Sequence, residues 1–234
     1  MDITQKLYWL MHAGITCFCG ETPTYAATKE KSVFSTTETT PATQQATTVA
    51  MHADSLDALN AEKQNFQLSS LKKTATHTIL GAGIQRPKLM CVLDMPDGDS
   101  DRTGNPLAGS QATQIQKMMS AIHLDMQTDV YITYLSPWRT PGNRSLTDAE
   151  IALFLPFLTQ EIHLVQPQNL FLLGTAPAQA LLKIATLSKA RGKWHSWENI
   201  PTRVSLPISM LKTTPLRRQA WADLQEVEKN LSAT

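Results

Sequence analysis

Three stretches of this 234-residue chain carry side chains whose types and spacing could do chemistry. The first runs Asp94-Met-Pro-Asp97-Gly-Asp99-Ser-Asp101 and continues as Arg102-Thr-Gly104-Asn-Pro106-Leu107-Ala108-Gly109. Asp97, Asp99 and Asp101 alternate as the carboxylates of a calcium loop do. Such a loop needs glycine at its sixth position and glutamate at its twelfth, where this chain has Arg102 and Ala108, so calcium is not expected. The second stretch, Ser136-Pro-Trp138-Arg139-Thr-Pro-Gly-Asn143-Arg144, is a turn-rich loop offering two guanidinium groups and an amide. The third, Leu206-Pro207-Ile-Ser-Met210-Leu211-Lys212, is an apolar loop that ends in a cation. His77, His123 and His163 are scattered and read as surface or capping groups, and His195, which could donate to a phosphate, reads first as a structural or surface residue. Cys91 lies in an apolar run and reads as a small core residue, while Cys17 and Cys19 form an incidental pair with one residue between them. With no CxxC pair, neither a disulfide framework nor a cysteine-caged metal is expected, and a reducing cytoplasm fits.

The elements that must position these loops follow from periodicity. Leu89–Leu93, Val130–Leu135 and Asn169–Leu173 are short apolar or β-branched runs that read as buried strands, with a weaker fourth near Thr202–Leu206. Helices alternate with them. One begins near Ser110, with Ile115, Met118, Met119 and Ile122 at steps of three and four. Another follows Thr147 and Glu150, which have capping-box spacing, and carries Ile151, Phe154, Leu155, Leu158 and Ile162 on one face. A third passes through Ala180, and a terminal one starts at Thr214-Pro215 and bears Trp221, Leu224 and Val227. Strand–helix alternation with apolar strands predicts an α/β fold: three α/β/α layers around a mostly parallel, four-stranded sheet. Ligands of such sheets sit beyond the carboxyl ends of the strands, which points to the segments after Leu93, Leu135 and Leu206.

Composition divides the chain into a short N-terminal helix over 1–21, a Thr/Ala-rich linker over 22–53 and a compact domain over 54–234. The linker has almost no apolar periodicity and is expected to be disordered. Lys and Arg total 21 against 20 Asp and Glu, so the net charge is only +1, which excludes a generally basic, histone-like binder. Locally the balance differs. From Lys183 to Arg218 the bases are Lys183, Lys189, Arg191, Lys193, Arg203, Lys212, Arg217 and Arg218, and the only acid is Glu198. One basic third in a neutral chain is the footprint of a phosphate-backbone binder. No apolar run is long enough for a membrane span, and no membrane partner is expected.

Together, Gly104-Asn-Pro106-Leu-Ala-Gly109, Trp138-Arg-Thr-Pro-Gly-Asn-Arg144 with the Thr147 capping box, and Arg191-Gly-Lys-Trp-His195 resemble the family 4 type of uracil-DNA glycosylase. The order is similar to that of the bacterial branch labelled as phage-type DNA polymerase-related. The resemblance covers about Thr76 to Leu231, and Gly20–Pro23 (GETP) also resembles that branch. It implies DNA as partner and excision of a flipped-out base.

Residue by residue, the resemblance implies a departure at each reacting position. The family's water-placing Glu is replaced by Asp94, and its uracil-stacking Phe by Leu107. The Asn that reads the uracil edge falls at Tyr134, and the His that stabilises the departing anion falls, with a one-residue slip, at Leu206. The four cysteines of the family's iron–sulfur cluster fall at Phe66, Ser69, Trp138 and Phe154, so no such cofactor is expected, and Trp138 is expected to fill the cluster's volume. What the resemblance retains is scaffold and DNA-facing surface: Arg139, Asn143 and Arg144, the intercalating loop Pro207, Met210, Leu211 and Lys212, and, before the Gly-x-Pro turn, the acid Asp101. Asp94 and Asp101 remain the catalytic candidates, although an Asp at a strand's end is more commonly a turn former. The expectation is a cytoplasmic monomer that binds single- or double-stranded DNA, with glycosylase activity lost or strongly altered. The alternatives are an active DNA N-glycosylase acting on uracil or another deaminated base, and a protein-interaction remnant of the fold.

Overall fold

The computed structural model describes residues 40–233. The helix expected over 1–21 and the first part of the linker lie outside them. Within them, six strands form one sheet in the order β1-β3-β2-β4-β6-β5. β2 (Leu89–Leu93), β3 (Val130–Tyr134), β4 (Leu170–Leu173) and β6 (Ile200–Ser205) are mutually parallel, as the four apolar runs predict. Two short strands that the sequence reading lacks, β1 (Ala82–Gly83) and β5 (Trp194–Trp197), pair antiparallel at the two edges. Every residue of β2, β3 and β4 is buried, because helices cover both faces of the sheet.

Alternation along the strands divides the core into two layers. Met90, Val92, Tyr131, Leu170 and Leu172 face one side, under α1 (Pro41–His52), α2 (Leu56–Asn65), α5 (Asp148–Val165) and α6 (Thr175–Leu182). Leu89, Cys91, Leu93, Ile132, Tyr134, Phe171 and Leu173 face the other, packed with apolar residues of α4 (Gly109–Ala121) and α8 (Thr214–Ala233). The remaining helices, α3 (Gly98–Thr103) and α7 (Leu187–Ala190), are short.

The expected linker is corrected by α1, which occupies its last part. Thr40 caps this helix and Pro41 opens it, while Ala46 and Ala50, one turn apart, are its fully buried contacts with the core. A stripe of two alanines suffices because small side chains let the α1 backbone approach α5 closely. Among the described residues the packed part of the chain thus reaches back beyond 54 to Pro41. Lys63 on α2 is buried and donates to Glu161 on α5 at 2.7 Å. Glu161 also accepts from the Tyr131 hydroxyl at 2.9 Å and the Thr133 hydroxyl at 2.8 Å, so this charge in the core is fully partnered.

The basic third of the chain is partly internal. Asp223 on α8 accepts from Arg191 at 2.6 Å and from Arg203 at 3.1 Å, and Arg203 lies beside the Trp194 ring. These two guanidinium groups hold α8 to the sheet, which leaves the outward-facing share of the positive charge to exposed residues such as Lys183, Lys189, Lys193 and Lys212.

Candidate functional site

Three loops and the start of one helix meet at the carboxyl end of the sheet. The β2–α3 segment contributes Asp94 to Gly98, the β3–α5 loop contributes Asn143, Ser145 and Leu146, and the β6–α8 loop contributes Pro207 to Met210. The first turn of α6, after β4, adds Thr175 and Ala176, a contribution absent from the sequence reading. Between them lie a cavity of about 190 Å³ that reaches Leu93, Gln111 and Leu173, and one of about 390 Å³ that reaches Ile151 and Gln179. Both share Asp94, Met95, Asn143, Pro207 and Ser209.

Asp94 is positioned by the helix it faces. The Ala176 N–H at the start of α6 donates to its Oδ1 at 3.2 Å. Gly174, in the left-handed half of backbone space at φ 144°, lies flat against its carboxylate, and any Cβ there would collide with it. Burial pushes the Asp94 carboxyl up to about 7, against a smaller opposing pull from the Ala176 N–H. Asp94 thus changes charge near neutral pH at the junction of the two cavities.

Asn143 is held over the same junction by an uncommon backbone. Gly142 and Asn143 are consecutive left-handed residues, with φ of 66° and 57°. The Arg139 Nε donates to the Asn143 Oδ1 at 2.7 Å, which aligns the amide. Arg144 turns the other way and makes a bidentate pair with Glu150, at 2.7 and 2.8 Å. That hydrogen-bonded pair holds the Glu150 carboxyl down at about 2. Glu150 also accepts from the Thr147 N–H at 2.8 Å while its own N–H donates to Thr147 Oγ1, so the capping box forms as its spacing predicts.

The other predicted residues are placed elsewhere. Tyr134 is buried, and its hydroxyl donates to the Pro106 carbonyl at 3.0 Å, stapling the end of β3 to the Gly104–Gly109 turn. Leu206 is buried in the α8-side core, and neither residue lines the cavities described here. Leu107 is 46% exposed on its turn. Asp101 accepts from the Thr76 N–H at 2.9 Å and the Thr76 hydroxyl at 3.3 Å, which ties α3 to the segment before the sheet and away from Asp94's cavities. Asp97 caps α3 through the Ser100 N–H, and Asp99 pairs with Arg102, so the three alternating carboxylates serve separate partners. In the β6–α8 loop, Met210 is 43% exposed and Lys212 exposed, whereas Leu211 is buried. Sequence reasoning missed, besides Thr175 and Ala176, the cavity residue Gln111 on the first turn of α4. Its signal was position, three residues after Ala108, the N-cap of a helix that starts at a strand's carboxyl end.

The positions at which the resemblance puts cluster thiolates are filled by a buried apolar plug. Trp138 and Phe154 meet edge-on at 5.6 Å between centroids, and Phe66 meets Phe157 at 5.2 Å. The Trp138 indole N–H donates to Thr78 Oγ1 at 3.0 Å, and Ser69 accepts from the Leu71 N–H. Aromatic rings supply no soft ligand, so this donor set does not fit an iron–sulfur cluster. Among the described residues no group of three or more His, Cys, Asp or Glu side chains could hold a metal ion. The described residues also contain no helix long and apolar enough to cross a membrane.

Residues 80–225 match the family model described as "Uracil DNA glycosylase superfamily". The chain belongs to the uracil-DNA glycosylase superfamily. It is 26% identical over 190 residues to a type-4 uracil-DNA glycosylase of Saccharolobus solfataricus, covering 77% of this chain and 88% of that protein. It is 27% identical over 184 residues to the type-4 enzyme of Archaeoglobus fulgidus, covering 74% and 92%. A DNA polymerase of Bacillus phage SP01 is 24% identical over 131 residues, which is 56% of this chain but 14% of the phage protein. The superfamily is one of DNA repair, and the mixed α/β architecture described above is in keeping with it.

Proposed function

We propose that this chain is a DNA-binding member of the superfamily in which uracil excision by the family's route is lost. It acts as a cytoplasmic monomer without an iron–sulfur cluster. The observation that carries this reading is the state of Tyr134 and Leu206. The first spends its hydroxyl on the Pro106 carbonyl, and the second is an apolar side chain locked in the core. Neither can read a uracil edge or stabilise a departing anion. Each missing transition-state contact of this kind costs about 2.7–4 kcal/mol, so losing both removes several orders of magnitude in rate. DNA affinity rests on Arg139 and Asn143 beside the cavities, on the exposed Arg144 that follows them, and on the exposed Met210 and Lys212 of the β6–α8 loop. An exposed Met beside a Lys suits insertion at a base step with the cation on a phosphate.

The test is retention and cleavage of a uracil-containing oligonucleotide by the full chain. Binding that weakens steeply with salt, with no uracil released, is expected. Lys212→Ala should lower both the affinity and the salt slope. Failure to retain DNA even at low salt would leave a protein-interaction role and sink this reading. One observation favours a second reading, an active N-glycosylase: the polar hollow at Asp94, whose carboxyl sits at about 7 and could place a water. Uracil release that disappears in Asp94→Ala would establish that reading in place of the first.

A further inference from the structure

The hollow at the carboxyl end of the sheet has a chemical character of its own. Among the described residues, the ionisable side chains that line the 190 Å³ cavity are Asp94 and Asp97, with no cation beside them. A phosphate is therefore not its natural occupant. Asp97 already accepts from the Ser100 N–H at 2.8 Å and the Gln111 N–H at 3.3 Å. Asp94 is different: its Oδ1 takes one N–H from Ala176, and among the described residues its Oδ2 has no hydrogen bond. The side-chain amide of Gln111 and the Nδ2 of Asn143, whose Oδ1 is held by Arg139, are likewise uncommitted among the described residues. Leu93, Leu173, Pro207 and Ile208 complete the lining with apolar surface suited to a flat ring.

We propose that this cavity binds a guanine-type base, with Asp94 accepting from two adjacent N–H donors on the ring's edge and Gln111 and Asn143 donating to the neighbouring carbonyl. An ionised carboxylate is an acceptor only, and two parallel donors on one edge match its two oxygens. Guanine presents such a pair, a ring N–H beside an amino group. Uracil presents one ring N–H flanked by two carbonyls, whose lone pairs face the carboxylate. The preference thus runs against the base for which the superfamily is named. The inference rests on the DNA-binding reading only in taking the occupant to be a nucleobase.

Calorimetric titration of the full chain with guanosine, inosine and uridine at pH 8 tests it, apart from any oligonucleotide. Inosine lacks the amino group, so guanosine should bind about tenfold more tightly than inosine, and more tightly still than uridine. Asp94→Asn keeps a side chain able to cap α6 and should abolish the preference for guanosine over inosine. Gln111→Leu, at the cavity's edge, should weaken guanosine about fivefold while leaving the melting temperature unchanged. Uridine binding as tightly as guanosine, no binding of any nucleoside, or a preference that survives Asp94→Asn overturns the proposal. Salt-dependent DNA retention alongside any of these results would leave the DNA-binding reading standing, and loss of retention with guanosine selectivity intact would do the reverse.

Discussion

Two regions of this molecule sit where the superfamily resemblance places reactive groups, and they differ in how the replacements are arranged. At the cluster positions Phe66, Ser69, Trp138 and Phe154 are all buried, with Phe66 edge-on to Phe157 and Trp138 edge-on to Phe154. At the sheet's carboxyl end, Asp94, Gln111, Asn143 and Ser209 surround open volume. One region is core and the other is a hollow with polar walls. A site that only needed to stay folded could be closed by apolar packing, as the plug is. A hollow that keeps a buried carboxylate costs stability, and such a cost is characteristic of sites that hold a ligand.

The largest effect should come from opening the plug. Trp138→Ala removes a fully buried indole that touches Phe154 and hydrogen-bonds Thr78. The expected loss is about 3–5 kcal/mol, read from urea or thermal unfolding. A loss under about 1 kcal/mol would mean that the plug is not a structural core. Iron chelation should leave the melting temperature unchanged, because the residues at the cluster positions cannot ligate iron.

At the hollow, the sign reverses. The Asp94 carboxyl ordinarily titrates near 3.8 and is pushed up to about 7 by burial. Its contribution to stability is fully present below the unfolded value and is lost as the pH rises through 7. Asp94→Asn cannot ionise, so at pH 8 it should be more stable than the parent chain, by up to roughly 3–4 kcal/mol. The gain should vanish toward pH 4, and paired melting curves at the two pH values check it. Equal stability at pH 8 would show that Asp94 is solvated and that the hollow carries no cost in stability.

The two regions were not equally legible in the sequence. The four parallel strands and the capping box were, since they follow from residue type, in β-branched and apolar runs such as Leu89–Leu93 and Val130–Tyr134 and in the Thr147/Glu150 spacing; the plug at Trp138 and Phe154 was legible through the resemblance, and the short edge strands β1 and β5 were not legible. The loops that meet at the site were legible too, because parallel strands bring their carboxyl ends to one edge. What the sequence did not disclose depends on orientation. Whether Tyr134 faces a pocket or a turn is decided by the parity of β3 and by the distance to Pro106, neither of which composition encodes. Gln111 was missed for the same reason, and α1 because two buried alanines give almost no hydrophobic signal.

A smaller effect tests the stretch that joins the regions, since the loop from Trp138 to Thr147 ends one in the plug and passes Asn143 over the hollow. Thr147→Ala removes the side chain that accepts from the Glu150 N–H and should cost about 1 kcal/mol. Nucleoside binding should be unaffected if the cap supports only α5. A parallel loss of affinity would show that the loop transmits strain from one region to the other.

The smallest change in stability should come at Asn143, and this makes it the sharpest probe. Its left-handed backbone, with φ of 57°, suits glycine better than any other residue. Asn143→Gly relieves that strain but gives up the hydrogen bond from Arg139, so the two terms nearly cancel and unfolding should shift by less than about 0.5 kcal/mol. Where glycine would fill the position equally well, the asparagine side chain contributes something other than stability. Here that is an amide aimed at the junction of two cavities. The variant should therefore melt like the parent chain and bind guanosine about fivefold more weakly, a single uncharged hydrogen bond's worth. A large loss of stability instead would make Asn143 a loop-former, and the hollow would be polar as a by-product of its folding.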